Sequence, residues 1–282
     1  MISNKSFLKK GYKIIEKKLC AAQLDELENC YQELIVSAEI INFQIREQKK
    51  TYQDFYLNNP NSLIVVPEAA NQSLICRLEY LYGFSSYIST IFVPALQSLL
   101  YDVFGQKFVL FKDKCNIKNP GGGAFPPHQD ITAYQYFKPK YHITVAVVFD
   151  KSTTSNGCLE IAENYREVIN DRSKKIDLGF EQFYHLEYEK YGSDNGDINS
   201  GILNDFTWIP IEGEKGDIVM FDSYVPHQSK KNLSEKSRRI FFFTFNHVSE
   251  GQHYFQYYDA KRTSYSNPIF HVSTPTSHQA EK

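Results

Sequence analysis

Methionine and tryptophan are scarce in this 282-residue chain, with two of the first and one of the second, and cysteine is limited to five scattered residues. An odd count with no CxxC pair offers no disulfide framework, so reduced thiols in a cytoplasmic protein are expected. Charge of one sign is also missing: Lys+Arg 31 against Asp+Glu 33 leaves a net charge of −2. That balance removes any global attraction for nucleic acid or an anionic membrane. The longest apolar run, Ile143 to Phe149, is far below the roughly 18 residues of a membrane helix. Charges interrupt the first twenty residues every few positions, which does not match a secretory signal. Internal repeats and a Pro/Ser-rich linker are absent too.

Aromatic residues are abundant: Tyr 20 and Phe 21 dominate a 15% aromatic fraction. Such side chains suit pleated, half-buried surfaces, which points to a mainly β body. After a short strand at Tyr12 to Ile15 the first hundred residues read as mainly helical. Leu24, Leu27, Tyr31 and Leu34 recur at spacings of three and four, and a second helical stretch is expected over 72–104, broken near Gly83 and Pro94. From Lys107 onward the pattern becomes short strands (FVLF, HITVAVVFD, GDIVMFD, RRIFFFTFN) separated by turn-rich segments. The expected fold is therefore mainly β with flanking helices, a double-sheet jelly roll, in a single domain over 1–282. Within it, 1–105 would be helical support, 106–250 the core and 273–282 a loose tail.

A metal-binding pattern lies in the second half. If the segment entering His128 is extended, His128 and Asp130 project to one face, because strand side chains alternate. His227, at the end of GDIVMFDSYVPH, offers a third ligand. Two histidines and one carboxylate leave other coordination positions open, the arrangement of non-haem Fe(II) oxygen chemistry. The stretch from His227 to Arg238 reads as a hairpin with its turn between Asn232 and Leu233. That register sets His227 opposite Arg238, with Ser229 on the same face and Arg239 turned away. A guanidinium and a hydroxyl beside an open metal site form a receptor for a carboxylate. A one-residue bulge would exchange Arg238 for Arg239.

The ordered set of HxD (His128, Asp130), the NGCLE segment ending at Glu160, the distal His227 in GDIVMFDSYVPHQS and an arginine eleven residues later resembles the phytanoyl-CoA dioxygenase family. The likeness extends from the FLKKGYKIIEKKL opening to the second arginine of EKSRR. It implies a jelly-roll core, iron held by His128, Asp130 and His227, and 2-oxoglutarate held by Arg238 with Ser229 and Asn116. The implied reaction uses Fe(II), 2-oxoglutarate and O2, with ascorbate as a stimulant, to hydroxylate a small polar metabolite. Retention of Asp130 disfavours halogenation. The chain departs from the family pattern after NGCLEIA, where Glu163-Asn164-Tyr165-Arg166 replaces a common Pro-Gly-Ser-His segment. LFKDKCNIKNPGGGAFPPHQDITAY is similar to a bacterial branch that includes 2-aminoethylphosphonate hydroxylases, which makes an aminoalkylphosphonate hydroxylase the specific alternative.

Several residues carry two readings. Continued alternation past Asp130 would bring Tyr134 to the substrate pocket, against a core aromatic. Thr144 is a candidate co-substrate contact or an ordinary strand residue. Lys118 is a candidate for an anionic substrate group or a solvated lysine. The glycines at 121–123 lack the Lys-Ser/Thr of a phosphate loop and read as a mobile cover over the metal. His142, His185, His247, His253, His271 and His278 read as structural or surface residues. The rival functional classes are a jelly-roll binding protein without turnover and a zinc hydrolase built on the same three ligands.

Overall fold

The computed structural model describes residues 4–48, 50–68, 71–168, 173–187, 197–265, 267 and 270. The tail at 273–282, with His271 and His278, lies outside them. The helices are α1 (Lys5–Lys10), α2 (Ala21–Glu47), α3 (Tyr52–Asn58), α4 (Leu81–Phe84), α5 (Val93–Phe104), α6 (Ile131–Tyr134) and α7 (Tyr254–Thr263). In chain order the strands are β1 (Tyr12–Ile15), β2 (Ile64–Pro67), β3 (Ile75–Glu79), β4 (Phe108–Lys118), β5 (Phe125–His128), β6 (His142–Val148) and β7 (Leu159–Ala162). They continue with β8 (Lys174–Asp177), β9 (Gln182–His185), β10 (Trp208–Ile211), β11 (Ile218–Asp222), β12 (His227–Ser229) and β13 (Arg238–His247).

Two antiparallel sheets form the body: a large one in the order β1-β11-β6-β13-β4-β3-β2 and a smaller one in the order β10-β7-β12-β5. The apolar strands serve two cores at once. Phe241, Phe243 and Phe245 of β13 and Val145 and Val147 of β6 enter the cluster shared with the helices. Their alternate neighbours Ile240, Phe242, Ala146 and Val148 enter a second cluster between the sheets. Burial on both faces explains why these strands are continuously apolar rather than alternating. On the helical side, Leu24, Leu27, Tyr31 and Leu34 of α2 are buried as their spacing predicts. Tyr31 packs against the rings of Phe149 and Phe241.

Two expectations about the first hundred residues change. The helical stretch expected over 72–104 begins as a strand: β3 pairs antiparallel with both β2 and β4. Its sequence ICRLE is short and wholly buried, and without periodicity such a run is not distinguishable from a buried helix. Residues 1–105 therefore contribute β1, β2 and β3 to the large sheet besides their helices. Pro94 does not break a helix; it lies in the first turn of α5, where an N–H has no helical partner to lose.

Candidate active site

His128 ends β5 and His227 begins β12, and the two strands place them opposite each other. Their rings lie 4.1 Å apart. Each Nδ1 faces a backbone carbonyl, Pro126 O at 2.8 Å and Val225 O at 3.0 Å. With Nδ1–H donating there, each Nε2 keeps its lone pair, and the Nε2 atoms stand 3.9 and 4.0 Å from Asp130 Oδ1. One ligand atom from each of the three residues fits within 4.8 Å of the others. Small side-chain rotations bring such a set to the ~2.0–2.2 Å typical of N and O ligands. Burial holds both histidines below their usual pKa, and so in the neutral, metal-binding form. Burial alone would raise the Asp130 pKa, but His227, Lys114 and His128 outweigh it and keep the carboxylate ionised.

Asp130 reaches this spot by a different route from strand alternation. The chain leaves β5 at His128, and Asp130 has helical backbone angles as the N-cap of α6. Alternation therefore does not continue to Tyr134, which sits in the helical turn. Tyr134 is 1% exposed and packs on Phe111 and His142 in the core, not on the cavity. Thr144 is likewise not a lining residue. Its hydroxyl donates to Asp130 Oδ2 at 3.5 Å and meets Thr244 Oγ1 at 2.9 Å, so it supports the carboxylate from behind.

The hairpin expected between His227 and Arg238 is absent. β12 belongs to the smaller sheet and β13 to the larger, so the chain between them crosses from one sheet to the other. Asn232, buried in that crossing, donates from its amide to the carbonyls of Lys118 and Lys236, which fixes the path. The expected neighbours meet across the interior instead. Arg238, Ser229, Asn116 and the triad line one cavity of about 440 Å³, part of it open to solvent. Arg238 is 4% exposed, its Nε has no hydrogen-bond partner, and it forms no ion pair among the described residues. Burial pushes its pKa down to about 10. Arg239 points the other way, gripping Asp150 at 2.7 and 2.8 Å and Glu28 at 2.9 Å.

Lys118 is neither solvated nor a lining residue. It is 2% exposed, and its Nζ donates to Ser229 Oγ at 2.7 Å and to the Lys230 carbonyl. Burial, followed by the charge of Arg238, pushes its pKa down to about 6. Gly157 of the NGCLE motif fits against this corner. It holds a φ of 71°, and a Cβ there would stand 2.2 Å from Lys230 O, so only glycine is accommodated. Asn116 Oδ1 accepts from Arg77 Nε at 3.0 Å, which leaves its amide NH2 for a ligand. The glycine segment at 121–123 bonds to the crossing loop, through Gly121 N to Asn232 O and Asn232 N to Gly122 O, rather than to the metal-binding turn.

Sequence reasoning missed two residues. Gln129, between the ligands, is 1% exposed; its amide donates to the Tyr184 and Tyr224 carbonyls and accepts from Leu186 N, tying the segment after β9 to the site. Lys114 lines the cavity two residues before Asn116. Burial, then Arg77, pushes its pKa down to about 7. The period-two pattern of β4 was the available signal, since Lys114 shares parity with Asn116.

Residues 7–240 match the family model for phytanoyl-CoA dioxygenase. The chain belongs to the phytanoyl-CoA dioxygenase family. It is 35% identical over 195 residues to the 2-aminoethylphosphonate dioxygenase of uncultured bacterium HF130_AEPn_1, covering 69% of this chain and 67% of that relative. It is 30% identical over 191 residues to the methylphosphonate hydroxylase of Gimesia maris, covering 67% and 65%. Among solved structures, EctD of S. alaskensis with 2-oxoglutarate and 5-hydroxyectoine superposes with a TM-score of 0.61 at 16% identity, covering 88% of this chain and 77% of EctD. The 2-oxoglutarate-dependent epimerase SnoN of nogalamycin biosynthesis gives 0.56 at 14% identity, covering 86% and 80%. These likenesses carry the jelly-roll fold. Family membership makes this phytanoyl-CoA dioxygenase relative an Fe(II)- and 2-oxoglutarate-dependent oxygenase. Among its described residues no helix is long and apolar enough to cross a membrane.

Proposed function

We propose that the protein hydroxylates a small polar metabolite, with His128, Asp130 and His227 holding iron and Arg238 holding the far carboxylate of 2-oxoglutarate. The observation that carries this is Arg238. A buried guanidinium without a counter-ion is costly in a folded protein, and a dianionic co-substrate supplies the missing partner. Ser229 and the Asn116 amide offer further hydrogen bonds to that anion. Lys118, bonded to Ser229, holds its hydroxyl in place at the same end.

Bound iron would supply the coupling of 2-oxoglutarate decarboxylation to C–H oxidation, one atom of O2 entering the substrate and the other succinate. The protein contributes position and polarity. Backbone carbonyls of Pro126 and Val225 keep both imidazoles in one tautomer with Nε2 presented. Thr144 steadies Asp130. Phe125, Leu159, Phe221 and Phe242 line the same cavity with apolar surface and restrict water around the reacting carbon.

Phosphonates are the preferred substrate class, because two relatives at 30% identity or more are named for phosphonate oxidation. Purified protein supplied with Fe(II), 2-oxoglutarate and ascorbate should release succinate faster when 2-aminoethylphosphonate or methylphosphonate is added. Absence of any succinate, together with no 2-oxoglutarate binding, would defeat the oxygenase reading and leave a binding protein. Ascorbate should raise the number of turnovers, and a cytoplasmic setting with reduced thiols suits both the iron and the five free cysteines.

A further inference from the structure

We infer that Lys114 selects the substrate, its ammonium holding an anionic headgroup borne by the oxidised carbon or by that carbon's immediate neighbour. This rests on the oxygenase reading above and adds to it the chemical class and pose of the substrate. The interior side of the large sheet is strongly basic, and most of its cations have partners. Arg77 bonds Asn116 and faces Glu79 at 3.6 Å, Lys112 donates to the Tyr257 hydroxyl, and Lys118 is held by Ser229. Two cations facing the cavity, Arg238 and Lys114, have neither a hydrogen bond nor an ion pair among the described residues. Lys114 has only the ring of Phe242, 5.1 Å from its Nζ.

These two cations enter the cavity from well-separated positions along the paired strands β4 and β13. On paired strands Arg238 is opposite Lys118 and Lys114 is opposite Phe242. Four residues of strand separate the positions, about 13 Å at ~3.3 Å per residue. Lys114 is the cation that acts electrostatically on all three of His128, Asp130 and His227. Arg238 instead neighbours Cys158, Asp150 and Cys115. A 2-oxoglutarate stretched from Arg238 to the metal therefore fills one pole and leaves the other. Formal charge gives the same result: iron(II), Asp130 and Arg238 together carry two positive charges, which dianionic 2-oxoglutarate neutralises. Lys114 stands outside that balance, with no ion-pair partner of its own among the described residues.

A carbon that is to be oxidised must also lie against the metal. An anion bound by Lys114 is consequently attached to that carbon or to the next one, as a phosphonate, sulfonate or carboxylate. Methylphosphonate, for which one relative is named, satisfies this in the simplest way, since its single carbon is bonded to phosphorus. Of the other lining side chains, Phe125, Leu159, Phe221 and Phe242 are apolar, and the Gln228 amide donates to Glu160 at 2.8 Å.

The test is an anaerobic calorimetric titration of the protein loaded with Fe(II) and 2-oxoglutarate. The probes are 2-aminoethylphosphonate, taurine and 3-aminopropanoate, which share an aminoethyl body and differ in their anion, with ethylamine lacking one. At least one anion should bind and ethylamine should not. Lys114→Met should weaken that binding by about 30-fold or more, and Lys114→Arg should recover most of it. The visible absorption of the Fe(II)/2-oxoglutarate complex should report a co-substrate affinity changed less than about threefold in both variants. Equal anion binding in Lys114→Met, ethylamine binding as tightly as the anions, or no binding of any of the three anions overturns the proposal. Loss of 2-oxoglutarate binding in Lys114→Met also overturns it, by assigning the lysine to the co-substrate. Failure of the unaltered protein to bind 2-oxoglutarate would instead defeat the oxygenase reading on which it rests.

Discussion

Replacing Arg238 by methionine should stabilise the ligand-free protein while abolishing its response to 2-oxoglutarate. The charged form of Arg238 is disfavoured by burial, its pKa falling from 12.5 to about 10. At about 1.4 kcal/mol per tenfold change in proton affinity, that depression corresponds to roughly 3 kcal/mol placed on the guanidinium by its surroundings. Methionine keeps most of the aliphatic stem and removes the charge. Part of the gain is offset by the space the guanidinium leaves, so a net gain of about 1–2 kcal/mol is expected. For a chain of this size that raises Tm by roughly 2–6 °C. With 2-oxoglutarate at a hundred times its Kd and Fe(II) present, the unaltered protein should gain about 2.7 kcal/mol and the variant almost nothing. The order of melting temperatures should therefore invert on adding the co-substrate, read by thermal denaturation under anaerobic conditions. If Arg238→Met melts lower than the parent without ligand and still responds to 2-oxoglutarate, the reading of Arg238 as an unpaired anion receptor is wrong.

Other perturbations probe the same framework. Arg239→Ala should lower stability by about 1–3 kcal/mol, because Asp150 and Glu28 lose their buried-side partner, with 2-oxoglutarate affinity unchanged in an absorption titration. Asp130→Ala and His227→Ala should each keep the far-ultraviolet circular dichroism of the parent and lose Fe(II) retention by at least tenfold in equilibrium dialysis; iron retention equal to the parent in either would refute the ligand set. His142 is fully buried between Phe111 and Tyr134 with no hydrogen-bond partner for either ring nitrogen, and burial pushes its pKa down to about 3. Because the folded protein refuses a proton that the unfolded chain accepts from about pH 6.5, its contribution is intact above that pH and stability drains away as pH falls toward 3. His142→Phe should flatten that acid limb in denaturant titrations between pH 6.5 and 4; an unchanged slope would count against this account.

Much of the site was legible because its chemistry depends on residue type and local order. The HxD pair, a distal histidine and an arginine eleven residues later mark candidate metal ligands and a candidate anion receptor in any fold that brings them together. The apolar strand segments and the α2 stripe were equally readable, since burial imposes a period on the sequence. What local pattern does not carry is which strands become neighbours. A hairpin is the shortest way to join β12 to β13, and nothing in the loop composition announces that Asn232 instead ties it to Lys118 on the far sheet. The hairpin register was therefore wrong, yet Arg238 lines the same cavity as His128, Asp130 and His227, because both sheets turn one face toward the same interior.

The sequence by itself determined the inventory: three candidate metal ligands, a candidate arginine for a carboxylate, aromatic strands to build a mainly β body, and a near-even balance of charge. Tertiary structure decided which cations are left over. Arg77, Lys112, Lys114, Lys118, Arg238 and Arg239 look alike in the sequence, and only packing shows that four of them are paired while Arg238 and Lys114 face the cavity without partners. Whether a charge is satisfied depends on what lies within a few ångströms in space, and residues meeting there from β3 (Ile75–Glu79) and β13 (Arg238–His247) lie far apart in the chain.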